Sequence, residues 1–589
     1  MQIVSDEVFG IALRETVLPR NSGELLSGCR RCKADFQLNL SGKRTEADIS
    51  PPQVLSAYIL FFRSHRRIDG FLFLKKEKGK GKRKMDKIQD FLLAAASTIN
   101  TYLSNYILII LLVGIGLFYS IKTKFVQVRC FGEGCKNVFG NINLRGGKQK
   151  GGISSFQAFA AAVAAQVGTG NIVGACGAIL IGGPGAIFWM WIIAFLGMAT
   201  IYAEAVLAQK TKVVNEDGSV EGGPVYYIKK AFTGKFGKFL AGFFSVAAII
   251  ALGFVGAMVQ SNSIAENVAG AVSACGATDA TVLLIVKIVM GVIVAALAGF
   301  VLFGGTQKLA SATEKIVPIM ATLYLLGGIV ILCIRIQYLP AAIGMIFQYA
   351  FAPQAITGGA IGMAIYTALT QGAKRGLFSN EAGMGSTPHA HALANVKDPH
   401  TQGVSAMIGV FLDTFVVLTM TALIVISTLY AKDGAIGQLI ADNIANGCSA
   451  SVADLAAAAG ISKANLAQLA FTMAFGGSQA AGIIGSIFVA ICLFFFAFST
   501  ILSWNYFGKV NFLYLFGKKS YIVYGSIAVV FVFLGAIFQN DLVWELTDMF
   551  NNLMVIPNAI ALFALSAMVV SATKFGKDKD ALPEIKDEK

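Results

Sequence analysis

Eleven apolar runs, each long enough to cross about 30 Å of hydrocarbon as a helix of about 20 residues, recur along this chain and leave few folds open to it. They are Tyr102–Ile121, Ser155–Leu180, Ala186–Ala208, Phe239–Gln260, Val282–Phe303, Ile316–Ile336, Ala360–Gly383, Ser405–Leu429, Gly482–Phe507, Tyr521–Phe538 and Leu542–Val570. The last is long enough to hold an interfacial segment as well. Lipid offers no partner for backbone N–H and C=O groups, so such runs fold as helices. The expectation is therefore an all-α polytopic membrane protein. Composition agrees, with 56% hydrophobic and 14% charged residues against about 45–50% and about 25% in soluble domains. Glycine is abundant at 63 residues, which suits helices that must approach closely in a medium giving them no hydrophobic drive to pack.

The formal charge of +15 does not point to nucleic acid, because Lys and Arg fall between apolar runs and form no single basic face. They read instead as topology signals. Lys122–Lys150 carries seven Lys and Arg, Lys210–Lys238 six, Lys509–Lys519 three and the C-terminal tail five, whereas Ile181–Gly185, Ser261–Thr281 and Gln539–Asp541 carry none. Basic loops stay cytoplasmic, so the C-terminus is expected inside the cell (inner) membrane. An odd span count then places Met85 outside.

The first 84 residues differ from the rest. They hold no apolar span, and their 17 Lys and Arg against 9 Asp and Glu account for eight of the fifteen net charges. The run Lys75–Lys84, KKEKGKGKRK, is what translation through a purine-rich ribosome-binding site produces. Met85 is thus expected to be the natural start, the alternative being a basic, lipid-facing tail. The apolar stretch near Ala57–Phe62 lacks a small-residue cleavage site and is not a signal peptide. The nine cysteines are scattered, and Cys29-x-x-Cys32 has no second half of a zinc ribbon, so neither a disulfide framework nor a metal centre is expected. The domain organisation expected is an extension (1–84), a first span with its basic loop (85–153), two five-helix units (154–345 and 346–572) and a tail (573–589).

Two spans are interrupted. In the second, AFAAAVAAQVGTGNIVGACGAIL, Gly168, Gly170, Gly174 and Gly177 cluster around the polar trio Thr169, Gly170 and Asn171. In the seventh, Gln371, Lys374, Arg375, Ser379, Asn380 and Glu381 interrupt an otherwise apolar helix. Irregular backbone at membrane depth is tolerated only where it lines an enclosed cavity. The two interruptions head the two halves of the ten spans that follow the first, as two inverted repeats with paired discontinuous helices require. Freed N–H groups suit a carboxylate and freed carbonyls suit a cation, so one site there holds a zwitterion and a coupling ion. The competing readings are small-residue packing for the glycines and, for Glu381, a structural pairing with a base at the cytoplasmic end. Gln260, Ser261 and Asn262 either reach the substrate or cap their helix. Ser499 and Thr500, near Trp504, either ligate a hard cation or bond their own backbone. Glu204 and Asp413 read as structural partners of cytoplasmic-side groups.

GGPGAIFWMWIIAFLG (Gly182–Gly197) resembles the signature of the alanine or glycine:cation symporter family, also called sodium:alanine symporters. AAQVGTGNIVG, MVQSNS, KRGLFSNEAGMGS (Lys374–Ser386) and STILSWNYFG (Ser499–Gly508) resemble its other blocks, over roughly Asn105–Gly576. The resemblance implies a leucine-transporter-like fold of two inverted five-helix repeats plus one preceding helix. It implies a small neutral amino acid, alanine or glycine, held by Thr169, Gly170, Asn171 and Gly174, with Gln260, Phe378, Ser379 and Trp504 closing the pocket. It implies sodium, the coupling ion, on the carbonyls of Ala164 and Val167 and the hydroxyls of Ser499 and Thr500.

A proton-coupled carrier is the alternative to sodium. A channel fits less well, since channels repeat few spans around an axis. An intramembrane metalloenzyme needs a ligand set, whereas the four histidines are His65, His389, His391 and His400, of which only His389 and His391 are neighbours. No G-x-x-x-x-G-K-[ST] loop occurs. No cofactor and no obligatory protein partner are expected beyond the bilayer, the amino acid and sodium.

Overall fold

A helix occupies each of the eleven apolar runs in the computed structural model, which describes residues 80–140, 152–216, 219–351, 361–446, 450–538 and 541–574. The extension up to residue 79, with Cys29 and Cys32, and the tail from residue 575 lie outside the described residues. The first run lies on α1 (Phe91–Lys122), followed by a short amphipathic helix, α2 (Phe131–Phe139). The second is split into α3 (Ser155–Gln166) and α4 (Gly170–Gly182). Then come α5 (Ala186–Thr211), a two-residue hairpin of Val213–Val214 with Val220–Glu221, and α6 (Pro224–Ala231). Three long helices follow, α7 (Gly234–Ala274), α8 (Ala280–Leu302) and α9 (Gly305–Ile334), with α10 (Leu339–Phe351) behind them.

The seventh run forms α11 (Ile361–Asn380) and, after a turn, α12 (Pro388–Ala392). The eighth is α13 (Pro399–Leu429). Three short helices, α14 (Ala435–Ala445), α15 (Val452–Ala458) and α16 (Leu466–Ala474), precede α17 (Gln479–Phe516). The chain ends on α18 (Lys518–Ile537), α19 (Val543–Ala564) and α20 (Ser566–Thr573). Eight of these helices are long and apolar enough to cross a membrane, and the bent pairs α3/α4 (43°) and α19/α20 (63°) bring the number to ten. α11, which carries Gln371, Lys374 and Arg375, is not among them.

Burial sorts the helices. In α5, α7, α13 and α17 61–67% of the apolar window is inside the protein, against 28–39% in α8, α9 and α18. The outer helices carry rows of exposed large apolar side chains, such as Val282, Ile285, Val289, Val292 and Phe300 on α8, which is the face a helix presents to lipid. α3 is enclosed on all sides, every residue from Gln157 to Gln166 being buried. Small side chains make that possible, since seven of its twelve residues are alanine or serine.

Two of the glycines in the GGPG turn are needed for shape. Gly183 adopts φ +72°, and a Cβ on Gly185 would come within 2.3 Å of the Tyr349 backbone. The turn thus folds α5 sharply back from α4 against α10.

Candidate functional site

The break between α3 and α4 begins at Val167, which leaves helical geometry with φ −82° and ψ 89°. N–H groups freed by a break need other partners, and side chains supply them. Gly168 N donates to Asn171 Oδ1 at 3.0 Å, and Thr169 N donates to Gln260 Oε1, from α7, at 3.2 Å. Beyond the break the chain runs as a π-helical turn, Gly170–Gly174. Such turns widen the helix where a site needs backbone groups turned aside.

The second break lies later than the sequence suggests. α11 is continuous through Gln371, Lys374 and Arg375 to Asn380, and the helix is lost only at Glu381–Thr387, where Glu381 has φ +58°, Gly383 +89° and Gly385 +81°. The polar run does not interrupt the helix because its charges are paired: Lys374 and Arg375 lie 2.8 and 3.4 Å from Asp548 of α19. Among the described residues Glu381 forms no ion pair with a base. It accepts hydrogen bonds from Ser386 Oγ and Trp504 Nε1. Glu204 of α5 likewise forms no ion pair among the described residues. Its carboxylate accepts from Gly383 N (3.1 Å), Gly385 N (3.0 Å) and Asn558 Nδ2 (2.6 Å), so it holds the turn in place.

The two breaks meet. A Cβ on Gly170 would lie 3.0 Å from Ser379 Cα and 3.3 Å from the Phe378 ring, so any larger residue there would press the two segments apart. Asp413 joins them. From a π-helical turn in α13, Phe411–Leu418, its carboxylate accepts from Asn171 Nδ2 at 2.6 Å, from Ser379 Oγ at 3.0 Å to each oxygen, and from Thr414 Oγ1 at 2.7 Å. It is fully buried and, among the described residues, no Lys, Arg or His forms an ion pair with it. The sequence reading, which gave Asp413 a cytoplasmic-side structural partner, missed this role. The one available signal was its position mid-way along an apolar run, where an acid is costly.

The site residues named from sequence gather around this junction. Thr169, Asn171, Gln260, Phe378, Ser379 and Trp504 are each at most 5% exposed, so the site is closed to solvent. Thr169 Oγ1, Gln166 Oε1 and Asn380 Nδ2 are buried there without a hydrogen-bond partner, which leaves polar capacity for a ligand. Gly174 is buried one turn on, where a Cβ would meet Thr169 O at 3.8 Å. The Phe378 ring meets Trp504 edge-on at 5.8 Å, and Trp504 fits because a Cβ on Gly256 would stand 2.6 Å from it. On its other side Phe378 packs 5.5 Å from Trp544 of α19, which the sequence reading did not single out. Trp544 in turn lines a cavity of about 410 Å³ with Leu93, Ala94, Ser97, Arg375 and Lys463. These three rings separate that cavity from the junction.

On the opposite side of the break, Thr500 Oγ1 donates to Ala164 O at 3.0 Å, and a Cβ on Gly168 would stand 2.4 Å from that hydroxyl. α17 therefore touches the last turn of α3 next to Val167. Ser499 points elsewhere, donating to Phe496 O at 2.9 Å and lying 3.4 Å from Met320 Sδ.

Residues 89–585 match the model of the sodium:alanine symporter family. The chain is 38% identical over 479 residues to the sodium/alanine symporter AgcS of Methanococcus maripaludis, covering 81% of this chain and 96% of that protein. The chain belongs to the sodium:alanine symporter family. It is likewise 39% identical over 483 residues to the putative sodium/proton-dependent alanine carrier protein YrbD of Bacillus subtilis, covering 81% and 91%. It is 35% identical over 480 residues to the probable sodium/glutamine symporter GlnT of the same organism, covering 81% and 88%. Membership in the sodium:alanine symporter family makes this a multi-pass membrane symporter in amino-acid transport, and sodium coupling follows from the family.

Proposed function

We propose that the protein brings a small neutral amino acid, alanine or glycine, into the cell together with sodium by alternating access. The observation that carries this is the junction at Asp413, where two helix breaks from distant parts of the chain are tied to one buried carboxylate. The amino acid lies against Thr169, Gly170, Asn171 and Gly174, with its carboxylate at the N–H groups of the second half-helix. Gln260, Ser379, Phe378 and Trp504 close the pocket. Sodium takes the carbonyls of Ala164 and Val167 and the hydroxyls of Thr500 and Ser499. Thr500 already adjoins Ala164 O, whereas the Ser499 hydroxyl has to turn from Phe496 O. At a membrane potential of about 100 mV one sodium charge supplies about 2.3 kcal/mol, enough for roughly fifty-fold accumulation.

The same reading makes all eleven helices crossings, α11 included, as two inverted five-helix repeats behind α1, with the C-terminus in the cytoplasm. Support comes from the paired breaks at the head of each repeat and from the alternation of basic loops. The closed site and the rings of Trp504, Phe378 and Trp544 beneath the cavity suit an occluded state of such a carrier. A proton-coupled carrier is the second reading, favoured by the acids Glu381 and Asp413 beside the pocket, which among the described residues are hydrogen-bonded but form no ion pair.

Uptake of labelled alanine and glycine into proteoliposomes, under a sodium gradient or a proton gradient alone, separates the two. Uptake that follows sodium is the expected result. Uptake that ignores sodium and follows protons would overturn the coupling ion but keep the carrier.

A further inference from the structure

Away from the transport site, α2 lies along the start of α13. A Cβ on Gly134 would stand 2.7 Å from Val404 O, and Phe131 meets Phe411 edge-on at 4.9 Å. At the end of this contact nearest the start of α13, Cys130, Glu133 and His400 each offer one ligand atom, and the three atoms lie within 4.8 Å of one another. Cys130 is the residue that leads into α2, with non-helical backbone (φ −107°, ψ 14°), and Glu133 lies in its first turn. His400 is the second residue of α13.

We propose that this triad is a site for a borderline transition-metal cation of the Zn²⁺ type, separate from the sodium that drives transport. The donor set is the first argument. Thiolate, imidazole and carboxylate together select Zn²⁺ or Co²⁺ over Na⁺, Mg²⁺ or Ca²⁺, which prefer oxygen alone. The second argument is the orientation of His400. Its Nε2 lies 3.4 Å from Glu133 Oε2, and its Nδ1 is 2.7 Å from Tyr202 OH on α5. With the ring proton on Nδ1 and donated to the tyrosine oxygen, the Nε2 lone pair faces Glu133 and the thiol, the outer-shell arrangement that fixes ligating histidines.

Distances are compatible with a metal. Bonds of about 2.0–2.3 Å put tetrahedral ligand atoms roughly 3.5 Å apart, so closure needs a contraction of about 1 Å. The Glu133 side chain, 49% exposed, is free to make it. Cys130 is half-buried, which leaves an entry path and room for water as the fourth ligand. On binding, the thiol proton passes to water and the sulfur bonds as thiolate. The bound ion staples α2 to the start of the helix that carries Asp413.

The test is Co²⁺ titration of the purified, untagged full chain in detergent, read by absorption. The expected result is one Co²⁺ per chain with a thiolate-to-cobalt charge-transfer band. Cys130→Ser abolishes the band, Glu133→Gln weakens binding by at least about tenfold, and Zn²⁺ displaces the colour. Both variants alter solvent-accessible side chains and are expected to keep the wild-type melting temperature without metal. A Co²⁺ spectrum lacking the thiolate band, or an affinity unchanged in Cys130→Ser, would overturn the proposal.

Discussion

Asp413 carries more of the site than any residue picked from the sequence. Its oxygens accept from Asn171, Ser379 and Thr414, so the side chains proposed to hold the amino acid are themselves held by an acid that, among the described residues, forms no ion pair. A hydrogen bond to a charged group contributes about 1.5–3 kcal/mol. Asn171→Ala should therefore raise the KM for alanine at least about tenfold while leaving the sodium dependence nearly unchanged. Thr500→Ala should do the converse, raising the sodium concentration for half-maximal uptake with a smaller effect on alanine. Uptake titrated in both ligands checks the split, and equal effects of both variants on both ligands would remove the separation of the two sites. Phe378 makes a different prediction. Its ring fills the space between Gly170 and Trp504, so Phe378→Ala should cut discrimination against a longer side chain such as glutamine by about tenfold or more, measured as the ratio of kcat/KM values for alanine and glutamine.

Among the elements, close backbone approaches set the positions of the helices that bear these residues. A Cβ on Gly508 of α17 would stand 2.7 Å from Gly253 Cα of α7 and 2.4 Å from the Tyr524 hydroxyl. This crossing positions both Gln260, further along α7, and Trp504, one turn earlier on α17. Gly508→Ala should cost about 1–3 kcal/mol through overpacking and lower the melting temperature in detergent, with residual uptake reduced in parallel. A melting temperature equal to wild type would show that the helices separate without cost.

The elements also show where local sequence misleads. Charge at Lys374 and Arg375 reads as a helix break, because hydropathy treats each side chain as if alone. Asp548, 173 residues from Arg375, supplies the partner, and the helix runs on to Asn380. The real break is written in Gly383 and Gly385, whose positive φ only glycine adopts readily.

For the whole molecule, the orientation argued from basic loops makes a direct test. Ser97 lines the 410 Å³ cavity and is exposed, and Lys518 is 65% exposed at the other end of the bundle. In intact cells a membrane-impermeant maleimide should label Ser97→Cys, and it should label Lys518→Cys only after permeabilisation. The reverse pattern would invert the topology.

The sequence alone determined that this chain lives in lipid as a bundle of helices, that one span breaks at Gly168–Asn171, and which blocks tie it to its family. Each of these is a local property: apolar length, helix-breaking glycine and contiguous motif. Tertiary structure alone decided that Asp413 joins the two breaks, that Glu204 cradles the second, that Trp544 extends the ring stack above Phe378, and that Asp548 neutralises Lys374 and Arg375. Those partners lie 34 to 242 residues apart along the chain. A buried acid is costly until a donor or a cation meets it, and only the packing of helices fixes which one does.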